Sequence, residues 1–159
     1  MSQNSTTEES FKHEIVVAWG DMDALSHVNN SVYFKYYEAA RMAFFEKIGA
    51  NTIMKEQNIG PILASAFSQF RAPIVYPETI EIGVTVSELG DSRFLLENRI
   101  MTKGKGVFAA KGIMEIVYFD YGTQQKTRIP APLKEELQRY SPNVKLVTDD
   151  QISLSQRIK

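Results

Sequence analysis

The fold is decided by a short polar stretch and the helix that follows it, Asp21-Met22-Asp23-Ala24-Leu25-Ser26-His27-Val28-Asn29-Asn30 and then Ser31-Val32-Tyr33. Two carboxylates, one of the chain's two histidines and two amides stand on the approach to a helix N-terminus. Free backbone N–H groups and the helix dipole favour developing negative charge at such a point. The stretch is therefore a candidate chemical site.

The residues on either side of this stretch follow the period of a strand and then that of a helix. From Phe11 to Trp19 two sets of side chains alternate, which predicts a strand with one buried face. From Ser31 to Ile48 apolar residues recur at steps of three and four, and Gly49 ends the pattern. The apolar stripe is too wide for a surface helix, so we expect a sheet to enclose this helix.

The rest of the chain is patterned mainly as strands. A short helix is predicted over 51–57, strands over 62–70, 80–86, 94–102 and 107–119, and a last helix near 133–140. Hairpin-length turns join the last three strands, which predicts an α+β fold with an antiparallel sheet around one long helix. We expect a flexible N-terminus over 1–10, one domain over 11–142, and a mobile tail over 143–159 that can be removed with little effect.

Composition excludes several classes of function. The 159 residues are 43% hydrophobic and 23% charged, as in an ordinary globular domain, and the net charge of -1 gives no electrostatic case for nucleic acid or an anionic membrane. The absence of cysteine excludes disulfides, thiolate zinc sites and a cysteine nucleophile. The N-terminus is polar without an apolar signal region, and no later apolar run reaches membrane-spanning length, so we expect a cytoplasmic protein without a membrane partner. We also expect no metal and no other cofactor.

The polar stretch, taken with the helix residues 33–41, resembles the signature of the hotdog-fold acyl-CoA thioesterases, the family of 4-hydroxybenzoyl-CoA thioesterase. The strand pattern extends the resemblance to about Pro132. It implies a hotdog fold, and hydrolysis of a thioester to a free acid and coenzyme A. In that family the second Asp of the Asp-x-Asp pair is the catalytic carboxylate, a role that falls here on Asp23 as general base or nucleophile. The resemblance also implies an acyl-CoA or acyl-carrier-protein substrate, and a homodimer or homotetramer with the site between subunits.

His27 is the second candidate catalytic residue. The segment from His27 to Asn30 also resembles the plant acyl-carrier-protein thioesterases, in which an Asn lies two residues after the catalytic Asp. Leu25 occupies that position here, so Asp23 and His27 are the two residues to which the family's roles can be carried over. His27 can orient a water, hydrogen-bond the thioester or hold the Asp23 loop, and it can equally be a structural histidine at the turn.

Four residues are candidates for binding the substrate. Asn30, like Asn29, is a residue type that caps a helix or braces a loop at the start of the helix. Tyr33 is predicted primarily as a core residue and secondarily as part of the lining of an acyl pocket. Gly60, with Pro61, resembles the family's glycine-containing turn, in which a backbone N–H meets the thioester carbonyl. Arg71 is a candidate partner for the phosphates of coenzyme A.

Two other functions remain open from the sequence. One is a hotdog hydratase or dehydratase with His27 as the base, which the order of Asp before His in one tight segment disfavours. The other is a non-hydrolysing module that binds acyl-CoA or acyl-carrier protein, which the presence of Asp23 disfavours. No feature of the sequence indicates the length of the acyl chain or whether it is aromatic.

Overall fold

A computed structural model describes residues 10–152 of the chain. Two short 3₁₀ turns, at Trp19–Asp21 and Asp149–Gln151, accompany the helices and strands. The elements in chain order are β1 (Phe11–Val16), α1 (Asn30–Lys47), α2 (Ala50–Gln57), β2 (Ile59–Phe70), β3 (Thr79–Leu89), β4 (Arg93–Thr102), β5 (Phe108–Asp120), β6 (Gln125–Lys126), α3 (Ala131–Tyr140) and β7 (Lys145–Leu146). None of the helices in 10–152 combines the length and the apolar character needed to cross a membrane.

The main strands form one antiparallel sheet in the order β1-β3-β4-β5-β2. The strands β3, β4 and β5 follow one another as a meander, while β1 and β2 occupy the two edges. Helix α1 packs against one face of this sheet. The predicted α+β architecture, a sheet wrapped around one long helix, is confirmed.

Helix α1 buries the stripe that its periodicity predicted, since each of five residues is at most 5% exposed: Tyr33, Tyr37, Ala40, Phe44 and Ile48. The helix lies close to the sheet because Gly112 of β5 carries no side chain. A Cβ atom there would stand 2.7 Å from the Tyr37 ring. The Tyr37 hydroxyl also shares a hydrogen bond of 2.8 Å with Ser68 of β2. These contacts fix the first half of α1, and with it the loop before it, against the sheet.

The predicted turn at Gly60 and Pro61 is absent, because both residues belong to β2. Gly60 pairs with Phe119 and Pro61 with Tyr118 of β5. The chain turns two residues before Gly60, at Asn58, whose φ of 57° is left-handed and which caps the C-terminus of α2. Proline is tolerated in β2 because this is an edge strand.

The prediction of a mobile tail does not hold for residues 143–152. Strand β7 pairs in parallel with the end of β3, and Ile152 is 1% exposed. The Asp149 carboxylate accepts hydrogen bonds from the backbone N–H and the hydroxyl of Ser92, at 3.0 Å and 2.6 Å. The sequence of residues 143–152 shows no strand or helix period because single residues attach the segment to the sheet, as Asp149 does at the β3–β4 turn. The other parts predicted to be flexible, 1–9 and 153–159, lie outside the described residues.

Candidate active site

Residues 23–27 form a tight turn between the end of β1 and the start of α1. The turn is closed by an antiparallel bridge between Met22 and Val28. The Asp23 N–H donates to the His27 carbonyl, and the Ser26 N–H donates to the Asp23 carbonyl, both at 3.0 Å. Ser26 has a φ of 63°, the left-handed conformation that such a reversal requires. The backbone therefore fixes the shape of this loop.

The Asp23 carboxylate is half-buried and oriented by two donors. One oxygen accepts the Leu25 backbone N–H at 2.8 Å, and the other accepts the Asn29 side-chain amide at 3.0 Å. An ionised carboxylate can accept about four hydrogen bonds. Asp23 is therefore held in place while retaining the capacity to bind a water or another donor.

Asp21 fixes the base of the same loop. Its carboxylate accepts the Ala18 N–H at 2.9 Å and the Tyr36 hydroxyl at 2.8 Å, and its backbone carbonyl accepts the Asn29 N–H at 3.0 Å. Burial, assisted by the hydrogen bond to Asp21, raises the pKa of Tyr36, so this hydroxyl remains a protonated donor. These bonds engage Asp21 in structure, which leaves Asp23 as the freer of the two carboxylates.

Asn29 joins the helix to the Asp23 loop. Its side-chain oxygen caps α1, as predicted, by accepting the N–H and the hydroxyl of Ser31 at 2.9 Å and 2.7 Å. Its carbonyl accepts the Val32 N–H. Two of the free N–H groups expected at this helix end are therefore already used. The bond from Asn29 to Asp23 was not predicted, although the N-cap position of Asn29 could have indicated that its amide turns back to the loop.

A cleft of about 380 Å³ opens beside the loop. Its wall includes four of the residues predicted for the site, His27, Asn30, Tyr33 and Arg71, together with Val28, Phe70, Ala72 and Pro73. Burial raises the pKa of Tyr33, and a backbone hydrogen bond at Ile74 partly offsets this. Within residues 10–152 no three His, Asp or Glu side chains come together as metal ligands. The wall thus offers an imidazole and hydrogen-bond donors.

Two of the predicted site residues lie off this wall. Asp23 is in the loop but does not line the cleft, and its backbone N–H bonds to the carbonyl of His27, which does. Gly60 is at the end of β2 opposite to Phe70, and its nearest side chains are Met54 and Tyr121. Within one chain the structure therefore brings Gly60 to neither Asp23 nor the cleft.

The antiparallel sheet wrapped around one long helix is the architecture of the hotdog fold. The model of the thioesterase-like superfamily matches residues 17–137. The chain belongs to this superfamily, and it is a thioester hydrolase with a hotdog fold.

Individual relatives agree with this assignment. The long-chain acyl-CoA thioesterase FadM of Escherichia coli is 25% identical over 126 residues, which cover 79% of this chain and 96% of FadM. The PA2801 protein of Pseudomonas aeruginosa is 30% identical with a TM-score of 0.72, over 78% of this chain and 95% of that one. The SAV2348 protein of Staphylococcus aureus, solved in complex with CoA, has a TM-score of 0.83 over 91% and 92% of the two chains. At 12% identity this last likeness shows the fold alone.

Proposed function

We propose that this protein hydrolyses an acyl-CoA to a free acid and coenzyme A, with the Asp23 carboxylate as general base or nucleophile. The observation that carries the proposal is the carboxylate held by Leu25 and Asn29, in the loop where the family places its catalytic Asp. The name of FadM gives long-chain acyl-CoA as its substrate, so this class of substrate is the first to test.

Asp23 can act on the thioester in two ways. As a general base it takes a proton from a water whose oxygen attacks the acyl carbon; the C–S bond then breaks, and the thiolate of coenzyme A recovers the proton. As a nucleophile it attacks the acyl carbon itself, releases the thiolate and forms a mixed anhydride that water hydrolyses. Both routes place negative charge on the former carbonyl oxygen.

The cleft wall supplies donors for that oxygen. Burial raises the pKa of Tyr33, so its hydroxyl is a protonated donor, and the Asn30 amide is on the same wall. His27 is exposed, and its imidazole has no hydrogen-bond or ion-pair partner within residues 10–152. It is therefore free to orient a water or to bond the thioester.

We further propose that two copies of the chain pair along β2. This strand is a 12-residue edge with β5 on one side only. Large apolar side chains are exposed on β2 and on α1: Leu63, Phe70, Phe34 and Met42 are each 40–48% exposed. A long apolar edge is stable in solution when another strand covers it. The second copy would also bring to the site residues, such as Gly60, that lie far from Asp23 within one chain.

Sedimentation tests the dimer. Leu63→Lys places a charge on this edge and is expected to give a monomer that has lost its activity. Leu146→Lys is a matched control, because Leu146 is 61% exposed on β7 and lies off this edge. A fully active monomer at working concentration would contradict both the assembly and a site shared between subunits.

A substrate panel tests the activity. Purified protein is given acyl-CoAs of several chain lengths and aromatic types, and free thiol release is measured. Hydration of an enoyl-CoA is measured in parallel, because a hydratase that uses His27 would act there. We expect thiol release without hydration, and a loss of about 100-fold or more in Asp23→Asn, the scale of removing a reacting group. Hydration without thiol release would overturn the proposal.

A further inference from the structure

Two arginines lie against one aromatic ring at the edge of the cleft. The guanidinium carbon of Arg99 is 4.2 Å from the centroid of the Phe108 ring, and that of Arg71 is 5.0 Å from the same centroid. The three residues come from separate parts of the sheet: Arg71 follows β2, Arg99 is on β4, and Phe108 begins β5. The ring holds both cations in place by cation–π contact, which favours arginine.

Most of the donors on these two arginines are unused. Within the described residues, the polar partner of Arg71 is Gln69, at 3.3 Å, and that of Arg99 is Glu97, at 3.6 Å. Each guanidinium carries five N–H donors in a planar fork that matches two oxygens of a phosphate. Arg71 is exposed and the Arg99 side chain is 52% exposed, so both forks are open to a ligand.

The charge around the ring favours an anion. Lys111 pairs with Arg99 across the strands, and within residues 10–152 Glu97 is the carboxylate that contacts both, at 3.4 Å from Lys111 and 3.6 Å from Arg99. Three cations against one carboxylate make this patch basic in a chain whose net charge is -1. Cations held this close together repel one another, and a ligand with more than one negative charge relieves that repulsion.

Arg71 connects this patch to the cleft, because it also forms part of the cleft wall with His27. Coenzyme A carries its phosphates at the far end of a flexible arm from the thioester, so one substrate can occupy the cleft and the patch together. We propose that Arg71 and Arg99, oriented by Phe108, bind the phosphates of the coenzyme A portion of the substrate. This inference rests on the function proposed above.

Kinetics with two substrates test the subsite. An acyl-CoA is compared with the N-acetylcysteamine thioester of the same acid, which lacks every phosphate. Arg99→Gln is expected to raise KM for the acyl-CoA about tenfold or more, the scale of a charge-assisted hydrogen bond, and to leave the short thioester unaffected. Phe108→Leu is expected to raise the same KM by a smaller factor. Arg128→Gln, an exposed arginine after β6 at the far end of β5, is the matched control.

Direct binding separates this inference from the proposed function. Titration calorimetry with coenzyme A and with adenosine 3′,5′-bisphosphate measures the subsite without catalysis, and Arg99→Gln is expected to weaken both about tenfold. Glu97→Gln is expected to tighten both, because it removes the competing carboxylate. If neither thioester is hydrolysed but binding behaves in this way, the proposed function fails and the subsite stands. If Arg99→Gln binds and turns over acyl-CoA as Arg128→Gln does, the subsite is wrong.

Discussion

Two aspartates, Asp23 and Asp149, each hold a loop by accepting hydrogen bonds on both carboxylate oxygens. The partners of Asp23 are Leu25 and Asn29, two and six residues further along the chain. Asp149 bonds to Ser92, 57 residues earlier, whose N–H lies 3.0 Å and 3.2 Å from the two oxygens and whose hydroxyl donates at 2.6 Å. Asp23 closes a local turn, whereas Asp149 attaches the last described segment to the sheet.

The two carboxylates are used differently. Burial acts to raise the pKa of Asp149, but hydrogen bonds from Ser92 and Asp91 and the charge of Arg93 outweigh it, so this pKa lies below its usual value. The contribution of Asp149 to stability is therefore present above the unfolded-state pKa and is lost as the pH falls through the folded-state pKa. Asp23 has fewer donors and lies in the loop beside the cleft. We therefore expect Asp149 to contribute to stability and propose that Asp23 carries the chemistry.

The largest effect is expected from removing the attached segment. A chain ending at Pro142 loses β7, the bond from Asp149 to Ser92 and the buried Ile152. We expect the free energy of unfolding to fall by about 4 kcal/mol or more, since one buried aliphatic side chain alone contributes about 2–5 kcal/mol. Urea denaturation measures it, with a chain ending at Ile152 as the control. Equal stability of the two chains would mean that residues 143–152 form a mobile tail, as the sequence predicted.

His27→Ala is expected to reduce turnover about tenfold, less than the loss of Asp23, because an orienting hydrogen bond contributes less than the reacting group. The loop should keep its shape, since only the His27 carbonyl takes part in it. Leu25→Ala is the control in the same loop, with a side chain that is 78% exposed and off the cleft wall. Steady-state kinetics decide the order, and a larger loss for His27→Ala than for Asp23→Asn would favour the hydratase interpretation.

A smaller effect is expected from Asn29→Ser. Serine keeps the helix cap but has no amide to donate to Asp23. We expect turnover to fall about threefold through looser positioning of the carboxylate, with the free energy of unfolding changed by less than about 0.5 kcal/mol. The measurements are kcat and thermal unfolding of the same preparation. Because serine keeps the cap, an unchanged kcat would mean that Asn29 serves as a cap alone and does not position Asp23.

The sequence predicted best where the contacts are local. The α1 stripe, the Asn29 cap and the tight turn depend on residues within a few positions of one another, so periodicity and turn chemistry identify them. The attachment of Asp149 to Ser92 and the stacking of Arg71 and Arg99 on Phe108 join residues from distant parts of the chain, and no local pattern encodes such pairs. The predicted turn at Gly60 was wrong for the same reason, because the position of Gly60 depends on the pairing of β2 with β5.

The most direct test of the account measures two isosteric variants side by side, Asp23→Asn and Asp149→Asn. For each, kcat/KM on the best acyl-CoA and the free energy of unfolding are determined. Asp23→Asn is expected to lose about 100-fold or more in kcat/KM and to keep its stability within about 1 kcal/mol. Asp149→Asn is expected to lose about 1–2 kcal/mol of stability and to keep kcat/KM within about twofold. Hydrolysis by Asp23→Asn within a few-fold of wild type would contradict the assignment of the chemistry to this carboxylate.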